Sequence, residues 1–170
     1  MIRAIATLVT LAALAAPAAA DRATDLEDAL YRSAMHLTDE AIVENVAAAL
    51  AAAKPIGTGK GRIDVTPELM LAMAWVESRY IPTVVSQPRG PRGPMFCGVL
   101  QAHVITTAAC SRAAADIRGA YVAALEHLGD WERFCRFDKI ARKHTDRLGC
   151  VLAGYNGGVA AARELRTRYS

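Results

Sequence analysis

Apolar positions recur every three or four residues through most of this chain, and the breaks in that rhythm mark its elements. In "DLEDALYRSAMHL", Leu26, Leu30 and Ala34 fall at i, i+4 and i+8 and predict a short amphipathic helix. A second helix starts after Thr38, with Asp39 and Glu40 in its first turn and Ile42, Val46, Ala49, Leu50 and Ala53 along one face. It should stop near Lys54, where "KPIGTGKGR" brings a proline and glycines. That stretch lacks the order of a phosphate loop and reads as a linker. A third helix opens at "TPELMLAMAWVESRY". Thr66 is its cap and Pro67 its first residue, Leu69, Met73, Val76 and Tyr80 form its buried stripe, and Pro82 follows it.

From Pro82 to Gly98 the pattern predicts loop, punctuated by Pro88, Pro91 and Pro94. "MFCGVLQAHV" then reads as one strand of a small sheet, and Ala-rich helices follow over about 105–116, 117–129, 131–143 and 150–168. The expected fold is mainly α with a small β element. With 170 residues the chain is long enough for one core and shows no internal repeat. Composition agrees, because 53% hydrophobic with only 6% aromatic residues means mostly Ala, Leu and Val, which favours helices over sheets.

The first twenty residues stand apart. Arg3, the apolar run "AIATLVTLAALAA" and the small residues "APAAA" have the layout of a cleavable secretory signal, with cleavage expected after Ala20. A transmembrane anchor is the competing reading, and a short, Ala-rich run ending in an A-x-A site fits it less well. Loss of Arg3 lowers the formal net charge from +3 to +2, too little to argue for nucleic acid. "PRGPRGP" and "RELRTRY" are locally cationic and read as solvated surface.

Export changes how the cysteines are read. Cys97, Cys110, Cys135 and Cys150 form an even set in an oxidising compartment, which suggests two disulfides. Of the three possible pairings, Cys97 with Cys110 and Cys135 with Cys150 is preferred because each closes a short loop. A zinc site is disfavoured, since there is no C-x-x-C and the histidines are scattered. No metal or cofactor is expected.

Glu77 is the one residue of the third helix that looks out of place. It sits at the end of an apolar stretch, with Met73, Ala74, Tyr80 and Ile81 at helical spacing. Apolar surroundings and the negative end of a helix dipole both disfavour an ionised carboxylate, so an acid so placed is suited to hold and transfer a proton. Alternatively, Glu77 points to solvent and does nothing.

Other segments weigh on that choice. Glu77-Ser78, then Pro82 and Ser86, then "GVLQ" at Gly98 to Gln101, then "AGYNGG" at Ala153 to Gly158, resemble in order the lytic transglycosylases with a soluble-transglycosylase domain, a lysozyme-like family. The resemblance covers about residues 64–168. It implies a lysozyme-like helical domain with a small sheet beside a cleft, within a single domain at 21–170 whose residues 21–63 are N-terminal helices and linker. It implies Glu77 as sole catalytic acid and base, with Ser86, Gln101, Tyr155 and Asn156 contacting the substrate. The substrate would be the glycan strands of peptidoglycan, cut after N-acetylmuramic acid to leave a 1,6-anhydro end.

The lack of any Asp or Glu between Arg79 and Ala115 suits a one-acid mechanism, because hydrolytic glycosidases ordinarily use a second carboxylate. Departures from the family pattern are the long basic "QPRGPRGPMFC" insertion, Val99-Leu100 in place of Leu-Met, and Gly154 and Gly157 in place of alanines. A monomer in the periplasm or outside the cell is expected, specialised for opening the wall for a secretion or conjugation machine. The alternatives are a muramidase that uses water and a non-catalytic glycan-binding protein.

Overall fold

A computed structural model describes residues 20–86, 95–104 and 106–165. The expected leader, the Pro88 to Pro94 insertion and the arginine-rich tail end lie outside the described residues. The fold is mainly helical with two small antiparallel sheets. Helix α1 is described over residues 20–33, followed by α2 (Asp39–Ala52), strands β1 (Pro55–Ile56) and β2 (Ile63–Asp64), and α3 (Pro67–Ser78). Strands β3 (Val85–Ser86), β4 (Met95–Cys97) and β5 (Ala102–Val104) precede α4 (Thr107–Ala115), α5 (Ile117–Phe137) and α6 (Arg147–Glu164).

The caps read from sequence carry the expected bonds. The hydroxyls of Thr38 and Thr66 accept from the amides of Ala41 and Leu69, each at 3.3 Å. The start of α2 and the start of α3 are thus set by local chemistry. Packing then selects which face is buried. Leu26, Leu30 and Ala34 are in the core, as are Ile42, Val46 and Ala49. On α3 the expected stripe is rotated, because Met70, Met73 and Ala74 are the deepest residues while Leu69 and Val76 are half-buried.

Helix α5 is the spine of the molecule, packed against both α2 and α6. It runs unbroken where two helices were expected, 117–129 and 131–143. Gly129-Asp130 is not a break because Leu125, Leu128, Glu132 and Cys135 continue one buried face past it, and no proline interrupts the backbone hydrogen bonds. Asp138 ends the helix, and its carboxylate accepts from the amides of Ile140 and Ala141 at 3.0 and 2.9 Å, ahead of the short turn Ala141–Lys143. A buried polar link joins α2 to α5, with the Tyr121 hydroxyl donating to Asn45 Oδ1 at 3.0 Å and Asn45 Nδ2 to the Ala41 carbonyl.

The stretch expected to be a linker is an ordered hairpin. β1 pairs with β2 in the register Pro55 to Asp64 and Ile56 to Ile63, and both isoleucines join the core. The hairpin sits over a buried ion pair on α5. Glu132, 1% exposed, accepts from Arg136 Nε at 2.9 Å, and Arg136 also donates to Thr58 at 3.2 Å. Gly57 lets the backbone come this close, since a Cβ there would meet Glu132 Cδ and Gly61 O at 2.8 Å, and its φ of 74° also favours glycine.

Disulfides Cys97–Cys110 and Cys135–Cys150 match the expected pairing. The first ties β4 to α4, and the second ties the end of α5 to the start of α6. Among the described residues no helix is long and apolar enough to cross a membrane. The two disulfides fit an oxidising compartment.

Candidate active site

Residues 85–86 and 95–104 form a three-stranded sheet where a loop and one strand were expected. Its order is β3-β4-β5, with Val85 opposite Cys97, Ser86 opposite Phe96, and Phe96 opposite His103. "MFCGVLQAHV" therefore makes two strands and the tight turn between them. That turn, Gly98 to Gln101, is the "GVLQ" segment, and Val99 and Leu100 within it are buried. It is fastened from three sides. The Ser78 hydroxyl of α3 reaches the Val99 carbonyl at 2.8 Å, the Tyr155 hydroxyl of α6 donates to the Leu100 carbonyl at 2.8 Å, and Gln101 Nε2 donates to the carbonyls of Gly98 and Val84 at 3.0 and 3.2 Å.

These bonds explain why residues far apart in sequence meet. Ser78 and Tyr155 dock the turn onto two helices, and the turn brings Gln101 to Ser86, whose hydroxyl donates to Gln101 Oε1 at 2.9 Å. Both amide hydrogens of Gln101 go to backbone carbonyls, so the side chain braces the sheet edge and leaves only Oε1 capacity to offer a ligand. Glu77, Ser86, Gln101, Tyr155 and Asn156 line one cleft of about 830 Å³. All the expected site residues are there.

Glu77 stands half-buried in the last turn of α3. The chain leaves that helix through Arg79 and Tyr80, both left-handed at φ 56° and 63°, a costly conformation for side chains of this size. Contacts hold it. Arg79 lies over the Trp75 ring at 4.1 Å, the Arg79 carbonyl accepts from His36 Nε2 at 2.8 Å, and Tyr80 is buried, which pushes its hydroxyl up to about 12. Burial, with the charge of Glu77 adding to it, raises the Tyr155 hydroxyl far above the usual tyrosine range, so it remains a neutral donor.

The glycines of "AGYNGG" have separate reasons. The Trp131 indole lies on Gly154 so closely that a Cβ would meet ring carbons at 2.3 and 2.5 Å, which accounts for glycine in place of alanine. Gly158, at φ 73° and ψ −161°, breaks the run of α6 just beyond Asn156, in a region of backbone space nearly reserved for glycine.

Sequence reasoning missed the far wall. α5 lines the cleft with Ala120, Ala123, Ala124, Glu126, His127 and Asp130, and the sheet adds Phe96 and His103. Glu126 and Asp130 thus bring carboxylates to the cleft that lie outside the acid-free span between Arg79 and Ala115, and they also border a second depression of about 650 Å³ beneath the β1–β2 hairpin. No local signal marks them, because their neighbourhood reads as an ordinary amphipathic helix. Among the described residues no cluster of histidine, cysteine or carboxylate side chains could hold a metal ion. Comparison of the chain with protein-family models, curated proteins and solved structures found no match.

Proposed function

We propose that this chain is an exported peptidoglycan lytic transglycosylase with a lysozyme-like fold. The observation that carries the reading is the convergence of Glu77, Ser86, Gln101, Tyr155 and Asn156, drawn from separate segments, on one cleft. The cleft's size and mixed lining of hydroxyl, amide, carboxylate and aromatic groups suit a sugar chain.

This reaction uses the protonated form of Glu77 in its first step. Its proton passes to the glycosidic oxygen as the bond from the anomeric carbon of N-acetylmuramic acid breaks, and the departing sugar leaves with a free hydroxyl. The substrate's own N-acetyl oxygen supports the anomeric carbon. Glu77, now a carboxylate, takes the proton of the C6 hydroxyl, and O6 closes on the anomeric carbon to form the 1,6-anhydro ring. No water is consumed. The leader expected at residues 1–20 would deliver the enzyme to the periplasm or exterior, in keeping with the disulfides. A specialised role in opening the wall for a secretion or conjugation machine predicts activity that rises when a partner is added.

A second reading, a muramidase, is favoured by one observation. Glu126 and Asp130 line the same cleft, and either carboxylate would serve to activate water. Mass spectrometry of fragments released from purified peptidoglycan separates the two, because the anhydro product is lighter by one water. Anhydro ends absent from the Glu77→Gln digest support the transglycosylase. Reducing ends transfer the assignment to the hydrolase, and no fragments from either protein leave a glycan-binding role.

A further inference from the structure

His127 projects from α5 into the wall of the cleft that faces the sheet. Its ring is held on two sides. The Trp131 indole, one turn along α5, has Nε1 3.1 Å from His127 Nε2, and the Tyr155 ring lies 5.3 Å away, centroid to centroid. Indole nitrogen can only donate, so Nε2 must accept. A neutral imidazole whose Nε2 accepts carries its proton on Nδ1.

Trp131 is itself fixed by its close seat on Gly154, next to Tyr155. The tautomer of His127 is therefore set by Trp131 of α5, whose indole is seated against the helix that supplies Tyr155 and Asn156. Protonating Nε2 would turn its hydrogen against the indole hydrogen, and partial burial lowers the ring's affinity for a proton. Asp130 opposes that effect and His103, across the cleft, adds to it. Glu126 on α5, Glu77 on α3 and the Tyr155 hydroxyl on α6 are the other ionisable groups lining this space among the described residues.

We propose that His127 contacts the substrate directly, as a neutral Nδ1–H donor to a hydroxyl or acetamido oxygen of the bound sugar. The ligand class rests on the glycan reading above; the tautomer does not.

The test uses the full chain carrying Glu77→Gln, so that nothing turns over, and a tetramer of N-acetylglucosamine as probe. Long-range proton–nitrogen NMR of labelled histidine should show His127 protonated at Nδ1, with that resonance moving as the tetramer saturates. Asparagine places an amide N–H near the Nδ1 position and glutamine near Nε2. Calorimetry should therefore find His127→Phe and His127→Gln weakened about tenfold, the value of one hydrogen bond, and His127→Asn within about threefold of the parent. Trp131→Phe, which keeps an aromatic ring without the indole N–H, should shift the tautomer equilibrium toward Nε2–H.

A protonated Nε2 in the parent overturns the proposal, as does rescue by glutamine instead of asparagine. Undiminished binding by His127→Phe overturns it alone, whereas a parent that fails to bind the tetramer removes the glycan reading and the proposed ligand together.

Discussion

The two small sheets use polar groups in opposite ways. The β1–β2 hairpin closes over Glu132 and Arg136, and their hydrogen bonds run to each other and to Thr58, so the charges are consumed inside the structure. The β3–β5 sheet is fastened by Ser78, Gln101 and Tyr155 acting on backbone carbonyls, which leaves Glu77 and Asn156 lining a space large enough for a ligand. Both segments look alike in sequence, short and rich in Gly and Pro. What separates them is what each sheet borders: the β1–β2 hairpin covers the Glu132–Arg136 ion pair, whereas the β3–β5 sheet forms a wall of the larger cleft that Glu77 and Asn156 also line.

The largest expected effect falls on the open region. Glu77→Gln should lower fragment release by about 10²–10⁴-fold, the usual worth of a general acid, with the thermal midpoint nearly unchanged. A large loss of stability instead would place Glu77 with the closed region.

Glu132→Ala is the mirror experiment. It leaves Arg136, whose side chain is 28% exposed, without its buried partner, and should cost about 3–5 kcal/mol of stability in denaturant titration. Activity of the folded fraction should persist. If activity falls while stability holds, the hairpin belongs functionally to the cleft.

Replacing Cys97 and Cys110 together by serine should cost about 2–4 kcal/mol, since the bridge closes a separation of 13 residues. Because it anchors β4, substrate affinity should fall with it. The corresponding change at Cys135 and Cys150 should lower stability alone, a contrast that parallel melting and binding measurements would show.

Gly154→Ala should push Trp131 off α6 at a cost of about 1–3 kcal/mol. It should also broaden the His127 resonances, whereas Gly129→Ala, inside α5 with open space around it, should stabilise by about 0.5–1 kcal/mol.

The smallest effect concerns acid. Hydrogen bonds from Arg163, then from the Ala141 amide, hold the Asp138 carboxyl far below its usual range, with Arg163 Nη2 at 2.7 Å. A folded-state value below the unfolded one means this contribution is present above the unfolded value of about 3.9 and fades as pH falls through the folded value. Asp138→Asn should flatten the acid limb of a stability-against-pH curve while leaving the pH profile of activity in place.

How far the sequence could be read depended on how local the cause was. The helix starts at Thr38 and Thr66 were legible because a cap acts over three residues. The disulfide pairing was legible because short loops close easily. Glu77, Ser86, Gln101, Tyr155 and Asn156 were named from motif order, and all line one cleft. The Gly-rich hairpin was missed because its reason, Glu132 with Arg136, lies some seventy-five residues on. The continuity of α5 was missed because glycine and aspartate weaken a helix locally while the buried face on either side restores it.

The sequence by itself therefore determined the helical character of the protein and the starts of its early helices, favoured its cysteine pairs, and placed Glu77 at the end of an apolar helical stretch, all through neighbours close along the chain. Only the tertiary structure decided that α5 forms the far wall of the cleft, that Gln101 spends its amide hydrogens on the backbone, and that Trp131 fixes the tautomer of His127 beside Tyr155. Those outcomes depend on which faces meet when the helices pack, and periodicity along one strand of chain carries no record of the partner across the core.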